Sequence, residues 1–222
     1  TNGVNMKNFG LFFAKLIPFF VFVAVDAQNV DWPSYGGDNG SSKYSALNQI
    51  NSSNVNTLST VWEWASADNA LVSDIIESSG PMLRPGSFKA TPIVVNGQMY
   101  LPTTYGQIVS LDPVSGETRW IYDTKTYNDG RPTNLGFNVR GVAYWENLGK
   151  KRIFFATNNS YLWSIDADNG LPDPEFGEAG RIDLTVGLGR EVDRTQYGVV
   201  SPPLVSNDKV IVNSIVIDGP RN

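Results

Sequence analysis

Apolar residues in this chain come in short runs, and most of these runs are bounded by Gly, Asn, Asp or Pro. Short apolar runs between turn residues are typical of β-strands. The strongest hairpin signal is Asn96-Gly97, which lies between two such runs. The pattern predicts strands at residues 61–65, 92–95, 99–103, 108–111, 118–122, 141–145, 152–157 and 161–166. It predicts no helix longer than two turns.

The strand pattern forms a module that occurs twice, at residues 91–122 and 141–176, and begins again at Ser201. The turns that start at Asp112 and Asp166 are in register, 54 residues apart. A repeat of about fifty residues built only of short strands is typical of a propeller blade. One blade needs a neighbour on each face of its sheet. We therefore expect an all-β propeller of which this chain is only a part.

Long connections separate the predicted strands. Residues 29–59 predict an ordered strap with a short helical turn near residues 55–58, anchored by Trp and Tyr side chains. Residues 68–88, 127–138 and 171–190 are rich in Gly and Pro, which predicts loops. Long loops above short strands are where propellers place their binding surfaces.

The composition narrows the chemistry that the chain could perform. It is 41% hydrophobic and 12% aromatic, which is typical of a folded protein, and its net charge of −5 argues against nucleic acid as a partner. It contains no cysteine and no histidine. Thiolate chemistry, zinc–sulfur sites and a cysteine-linked lipid anchor are thereby excluded. Catalysis would use carboxylates, Arg, Lys or a bound cofactor.

The N-terminal residues predict export. Lys7 and Lys15 precede an apolar run at residues 16–25. Ala27 ends a segment suited to cleavage by a signal peptidase. We interpret residues 6–27 as a signal peptide, residues 1–5 as leader residues and the mature protein as periplasmic. An uncleaved membrane anchor is the alternative, although Pro18 interrupts the short apolar run.

The segment LDPVSGETRW, which ends at Trp120, resembles the tryptophan-docking motif of the quinoprotein dehydrogenases. These enzymes carry pyrroloquinoline quinone (PQQ) in an eight-bladed propeller, and in their motif the Trp packs on the turn of the neighbouring blade. Blade two has Pro174 where that Trp is expected. Four more segments are similar to the sugar- and polyol-oxidising branch: residues 31–51, 88–100, 140–145 and 198–205.

The resemblance covers residues 31–219 and implies a fold. Residues 28–222 would form about three of eight blades, the N-terminal part of a PQQ-binding propeller. The family's catalytic aspartate belongs to later blades, so the 222 residues alone are predicted to be inactive. Asn134 and Leu135 stand where methanol- and ethanol-oxidising relatives have a vicinal disulfide, which disfavours those two substrates.

The resemblance also implies cofactor-binding residues. Arg140 matches the arginine that contacts the quinone oxygens, and Lys89 stands where several relatives have a glutamate. Ser201 lies beside the position of a hydroxyl residue that binds a PQQ carboxylate, a position filled here by Val200. Three simpler interpretations stay open: an ion pair at a blade edge for the arginine, an ordinary surface lysine and a buried turn serine.

Asp218 matches a carboxylate that binds the family's calcium ion, and a plain Asp-Gly-Pro turn is the alternative. The implied activity is oxidation of a sugar or polyol, with electrons passed to a membrane quinone or a cytochrome c and membrane contact expected. Two other functions stay open. One is an exported, non-catalytic propeller of the outer-membrane assembly type that binds proteins. The other is a carbohydrate-binding propeller in which Trp and Tyr stack on sugar rings.

Overall fold

The structure is a computed structural model, and it describes residues 30–80, 83–133 and 136–215. This part of the chain contains one α-helix and ten strands. In chain order they are α1 Asn69–Ser79, β1 Ile93–Val95, β2 Gln98–Pro102, β3 Gln107–Leu111, β4 Thr118–Asp123, β5 Ala143–Asn147, β6 Lys150–Ala156, β7 Tyr161–Asp166, β8 Arg181–Asp183, β9 Leu204–Ser206 and β10 Lys209–Ile211. Short 3-10 turns lie at Val55–Thr57 and Thr126–Asp129.

The strands form two antiparallel sheets of four and one hairpin. Blade one has the order β1-β2-β3-β4 and blade two the order β5-β6-β7-β8, while β9 and β10 begin a third module. Asn96 and Gly97 both have positive φ, at 52° and 71°, as a tight hairpin between twisted strands requires. The predicted blade strands are confirmed, and so is the all-β propeller class.

The two aspartate turns are the same structure at the level of single hydrogen bonds. The Asp112 Oδ1 atom accepts the N–H groups of Val114 and Ser115 at 2.9 and 3.0 Å. Asp166 Oδ1 does the same two and three residues further on, at 2.9 and 3.1 Å. In each turn the glycine four residues later donates to the aspartate carbonyl at 2.9 Å. The repeat seen in the sequence is therefore a structural repeat.

Blade two is covered on both faces, as a propeller blade must be. Phe155 belongs to the core between the two blades, together with Ile93 and Ile108 of blade one. Its neighbour Phe154 points to the other core, which includes Val199 and the partly buried Val205 of the third module. Successive residues of a strand face opposite sides of a sheet, so β6 contributes to both cores.

Two tryptophans dock on the aspartate turns, Trp120 joining blade one to blade two and Trp62 joining the preceding segment to blade one. Trp120 donates from Nε1 to the Ala167 carbonyl at 3.0 Å, and its ring lies against Gly170, where a Cβ would come within 2.7 Å of it. Trp62 repeats this contact one module earlier, with the Pro113 carbonyl at 3.2 Å and Gly116 at 2.6 Å. The expected docking of Trp120 on the neighbouring turn is observed.

Three expectations were wrong in detail. Residues 68–88 are not simply a loop, and the expectation of no helix longer than two turns is wrong with them, because α1 spans 11 of these residues, about three turns. Its apolar side includes Ile75, which packs against Tyr105 and Phe137. Residues 171–190 contain the short strand β8. Residues 61–65 pair with no strand in the described ranges, although Trp62 and Trp64 anchor them to blade one.

The strap is ordered as expected. Trp32 forms a bridge with Val94 of β1, and the 3-10 turn at Val55–Thr57 lies where a helical turn was predicted. The predicted signal peptide lies outside the described residues. Within the described ranges no helix has the length and apolar character that a membrane span requires.

Candidate functional site

Most of the long connections reach one end of the sheets, whereas the β7–β8 connection, residues 167–180, lies at the opposite end. In an antiparallel meander every second connection lies at the same end. The segments that precede β1 and β5, the β2–β3 turn and the segment after β4 therefore share an end, which we call the loop face. Helix α1 belongs to it, since the Tyr105 hydroxyl in the β2–β3 turn donates to the Leu83 carbonyl at 2.7 Å, just beyond the helix.

A buried carboxylate holds the start of α1 on the loop face. Asp68 is buried, and its oxygens accept the Tyr105 backbone N–H at 3.1 Å and Gln107 Nε2 at 3.2 Å. Burial raises the pKa of Asp68, because a charged group is poorly solvated there. The contacts tie the long segment before β1 to the β2–β3 turn of the first blade.

On the loop face, the segments that lead into the first strands of the three modules lie side by side. The Thr91 N–H donates to the Arg140 carbonyl at 2.8 Å, and the Arg140 N–H donates to the Val200 carbonyl at 2.9 Å. We call these segments, residues 89–91, 138–141 and 199–201, the inner row. The repeat explains their meeting, since each occupies the same position in its module.

The inner row brings three of the predicted cofactor-binding residues into neighbouring segments. Lys89 and Arg140 are exposed, and neither forms an ion pair with a described residue. Ser201 is half-buried, and its hydroxyl accepts a long hydrogen bond of 3.4 Å from Asn213 Nδ2. Asp218, Asn134 and Leu135 lie outside the described residues. The roles of all these residues stay predictions.

Two buried asparagines that sequence reasoning missed support the inner row. Asn158 Nδ2 donates to the Asn138 carbonyl at 3.2 Å and, at the longer distance of 3.5 Å, to the Val199 carbonyl. A Cβ on Gly198 would lie 1.9 Å from the Asn158 carbonyl oxygen, so only glycine permits this approach. The available signal was the polar run of residues 157–160 between two apolar strands.

One acceptor beside Arg140 has no partner in the described ranges. Asn138 is buried, and its Oδ1 atom accepts no hydrogen bond there. Buried polar groups are nearly always hydrogen-bonded, and exceptions concentrate at sites with a role beyond stability. Asn138 thus marks the Arg140 segment as a candidate binding position.

The family model that describes the β-propeller domain of PQQ-dependent glucose, ethanol and alcohol dehydrogenases matches residues 32–222. The chain belongs to this family. The quinoprotein glucose dehydrogenase of Gluconobacter oxydans is 30% identical over 213 residues, which are 87% of this chain and 25% of that protein. The large subunit of glycerol dehydrogenase from Gluconobacter thailandicus is 28% identical, over 86% of this chain and 25% of its own length.

Solved structures agree on the fold. Quinohemoprotein alcohol dehydrogenase from Comamonas testosteroni matches with a TM-score of 0.65 and 24% identity, over 87% of this chain and 24% of that one. The chain thus spans about a quarter of the length of the curated relatives that it matches. The match supports a partial quinoprotein propeller.

The described part of the inner row fits the cofactor that the family implies. PQQ carries three carboxylates, and the row offers an exposed guanidinium and an exposed ammonium without a carboxylate partner among the described residues. A guanidinium binds carboxylates and quinone oxygens through its fixed fork of donors. A ligand of opposite charge would complete the environment of both side chains.

Proposed function

We propose that this chain is the N-terminal part of a PQQ-dependent dehydrogenase that oxidises an alcohol group of a sugar or polyol. The observation that carries the proposal is Arg140 in the inner row, exposed on the loop face and without a carboxylate partner in the described ranges. The names of the relatives, which include glucose and glycerol dehydrogenases, support the substrate class.

The bound cofactor supplies the hydride acceptor, and the protein supplies orientation and electrostatic stabilisation. Arg140 would stabilise negative charge on the quinone oxygens, because a fixed donor aimed at a developing charge needs no reorganisation. Lys89 would bind a PQQ carboxylate, and Ser201 would offer a hydroxyl to another. We assign Asp218 to a calcium ion, for which a carboxylate oxygen is a suitable ligand.

Export and electron transfer belong to the same proposal. A signal peptide at residues 6–27 would deliver the protein to the periplasm, where a membrane quinone or a cytochrome c could accept the electrons. The charged residues Lys7 and Lys15, which precede the apolar run, support this assignment.

Replacement of Arg140 tests the proposal in the protein of natural full length that carries this chain. Arg140→Ala should lower kcat/KM by about 10²–10³, or about 2.7–4 kcal/mol, as expected for the loss of one fixed donor. Arg140→Lys should recover only part of the rate, because it keeps the charge and loses the fork. Activity with PQQ and Ca²⁺, PQQ affinity by equilibrium dialysis and melting of the cofactor-free protein are the measurements.

Arg119→Ala is the matched control. Arg119 is an exposed arginine at the opposite end of blade one, where it pairs with Asp112 at 2.7 Å. Its loss should leave both activity and PQQ affinity unchanged. Full activity in Arg140→Ala would contradict the cofactor role. A collapse of the cofactor-free protein in that variant would assign the side chain to stability instead.

A further inference from the structure

A groove of about 460 Å³ lies between the outer parts of blades one and two on the loop face. Residues at the end of β4 form one wall, and residues of β7 and β8 form the other. The volume falls within the range of about 300–1,000 Å³ that is typical of small-molecule sites. The groove shares no lining residue with the inner row.

Arg181 in this groove has unusual surroundings. Its guanidinium lies 4.3 Å from the centre of the Tyr161 ring and 5.2 Å from that of Trp163. Arg194 stacks on the same tyrosine at 4.5 Å, but it also pairs with Asp183. The Arg181 side chain donates to no acceptor among the described residues. The rings therefore hold a guanidinium whose donors remain available to a ligand.

Trp163 supplies a second, independent observation. Its side chain is buried, with 6% of the residue exposed, and it lines the groove. Its Nε1 donor has no acceptor in the described ranges. A buried donor without a partner costs free energy, and such exceptions concentrate at sites with a role beyond stability.

Two negatively charged and two positively charged side chains line the groove. Asp123 and Asp129 line the groove, and their described partners are neutral. Asp123 accepts from the Tyr127 hydroxyl at 2.8 Å and from the Lys125 backbone N–H at 2.9 Å, and Asp129 accepts from Asn159 Nδ2 at 2.7 Å. Lys125 and Arg181 supply the two positive charges, and neither pairs with a described carboxylate. The formal charge of these four groups is zero, so no net charge favours an anion or a cation.

We propose that this groove binds a neutral saccharide. Each sugar hydroxyl is both a donor and an acceptor, so one ligand can donate to Asp123 and Asp129 and accept from Arg181 and Lys125. The edge of Tyr122, which packs on Trp163 at 5.4 Å between ring centres, gives the wall an apolar part for the carbon skeleton. The site does not depend on the proposed dehydrogenase activity.

The experiment uses the cofactor-free protein at its natural full length and sugars that have no free anomeric hydroxyl. The probes are the methyl glycosides of glucose, galactose and mannose, together with trehalose. Binding is measured by saturation-transfer NMR and calorimetric titration. Melting temperatures are not used as the measure, because sugars raise them through exclusion from any protein surface. Glucuronate and inorganic phosphate are the anionic comparisons.

Saturable binding of at least one neutral probe is expected. Arg181→Gln and Asp129→Asn should each weaken it about tenfold or more, as the loss of a charged hydrogen-bond partner does. Arg119→Gln, at the opposite end of blade one, and Arg140→Ala, in the inner row, should leave it unchanged. Near-UV circular dichroism checks that each variant is folded.

Three results would overturn the proposal. The first is no saturable binding of any neutral probe at concentrations up to about 50 mM. The second is equal affinity in the wild type and in both folded groove variants. The third is tighter binding of glucuronate or phosphate than of every neutral probe. Loss of binding in Arg140→Ala alone would move the sugar site to the inner row and would also overturn it.

Discussion

The contact between Trp120 and Gly170 predicts how much the junction between blades stabilises the protein. Gly170 has a φ of +76°, and a Cβ placed there would lie 2.7 Å from the indole ring of Trp120. Gly170→Ala should therefore combine two costs. The left-handed backbone costs an L-residue about 1–2 kcal/mol, and the methyl group must also push the indole off the turn.

Displacement of the indole has its own magnitude. It breaks the hydrogen bond from Trp120 Nε1 to the Ala167 carbonyl, worth about 1 kcal/mol. It also disturbs the tilted packing on Tyr100, whose ring centre lies 6.0 Å away, worth about 0.5–1.5 kcal/mol. The sum for Gly170→Ala is about 2.5–4.5 kcal/mol.

Gly149→Ala separates the two costs. Gly149 has nearly the same φ, +77°, but a Cβ there would meet nothing within 4 Å. This variant should lose only the backbone cost of about 1–2 kcal/mol. The assay is urea unfolding of the full-length protein, monitored by tryptophan fluorescence. The m-values of the variants are compared first, and the midpoints are compared where the m-values agree.

The double variant Gly170→Ala/Trp120→Ala completes the test. Once the indole is gone, the methyl group at residue 170 has nothing to displace. The loss of stability in the double variant should therefore be smaller than the sum of the losses in the two single variants. Equal midpoints for Gly170→Ala and Gly149→Ala, or strict additivity in the double variant, would refute the reasoning.

Two further predictions concern acid stability and export. Partial burial acts to raise the pKa of Asp183, but hydrogen bonds from Arg194 and Thr185 prevail and lower it to about 2. Its stabilisation should be complete above about pH 4 and lost as the pH falls towards 2, so Asp183→Asn should flatten the fall of the melting temperature in that range; an unchanged profile would contradict this. The exported protein should begin at or near Gln28 by N-terminal mass spectrometry, and an intact Met6 would favour a membrane anchor.

The blades could be predicted because their signals are local. Asn96-Gly97 fixes one hairpin, and the repeated Asp-to-Gly spacing fixes the phase of the module. The family resemblance assigns Arg140 and Ser201 to one cofactor site, and their segments do meet in the inner row. Lys89 joins them because Thr91, two residues later, bonds to Arg140.

The failures have physical reasons as well. The α1 sequence has Leu71, Val72 and Ile75 at helical spacing, but Ser, Asp and β-branched residues weaken its propensity and the Gly and Pro after it suggested a loop. β8 has only three residues. The groove around Arg181 could not be foreseen, because its walls come from three strands and the segment after β4.

Because Trp62 and Trp120 dock on the module that follows them, a segment that packs as one unit does not coincide with one module of the chain. Each tryptophan comes from the module that precedes, along the chain, the turn on which it packs. A cut at residues 130–140 would therefore leave Trp120 on one piece and the turn on which it packs, at Ala167 and Gly170, on the other. Any scheme to transplant or duplicate a blade should carry the preceding tryptophan strand with it. The natural unit for such a transfer begins near Thr118 rather than at the first strand of blade two.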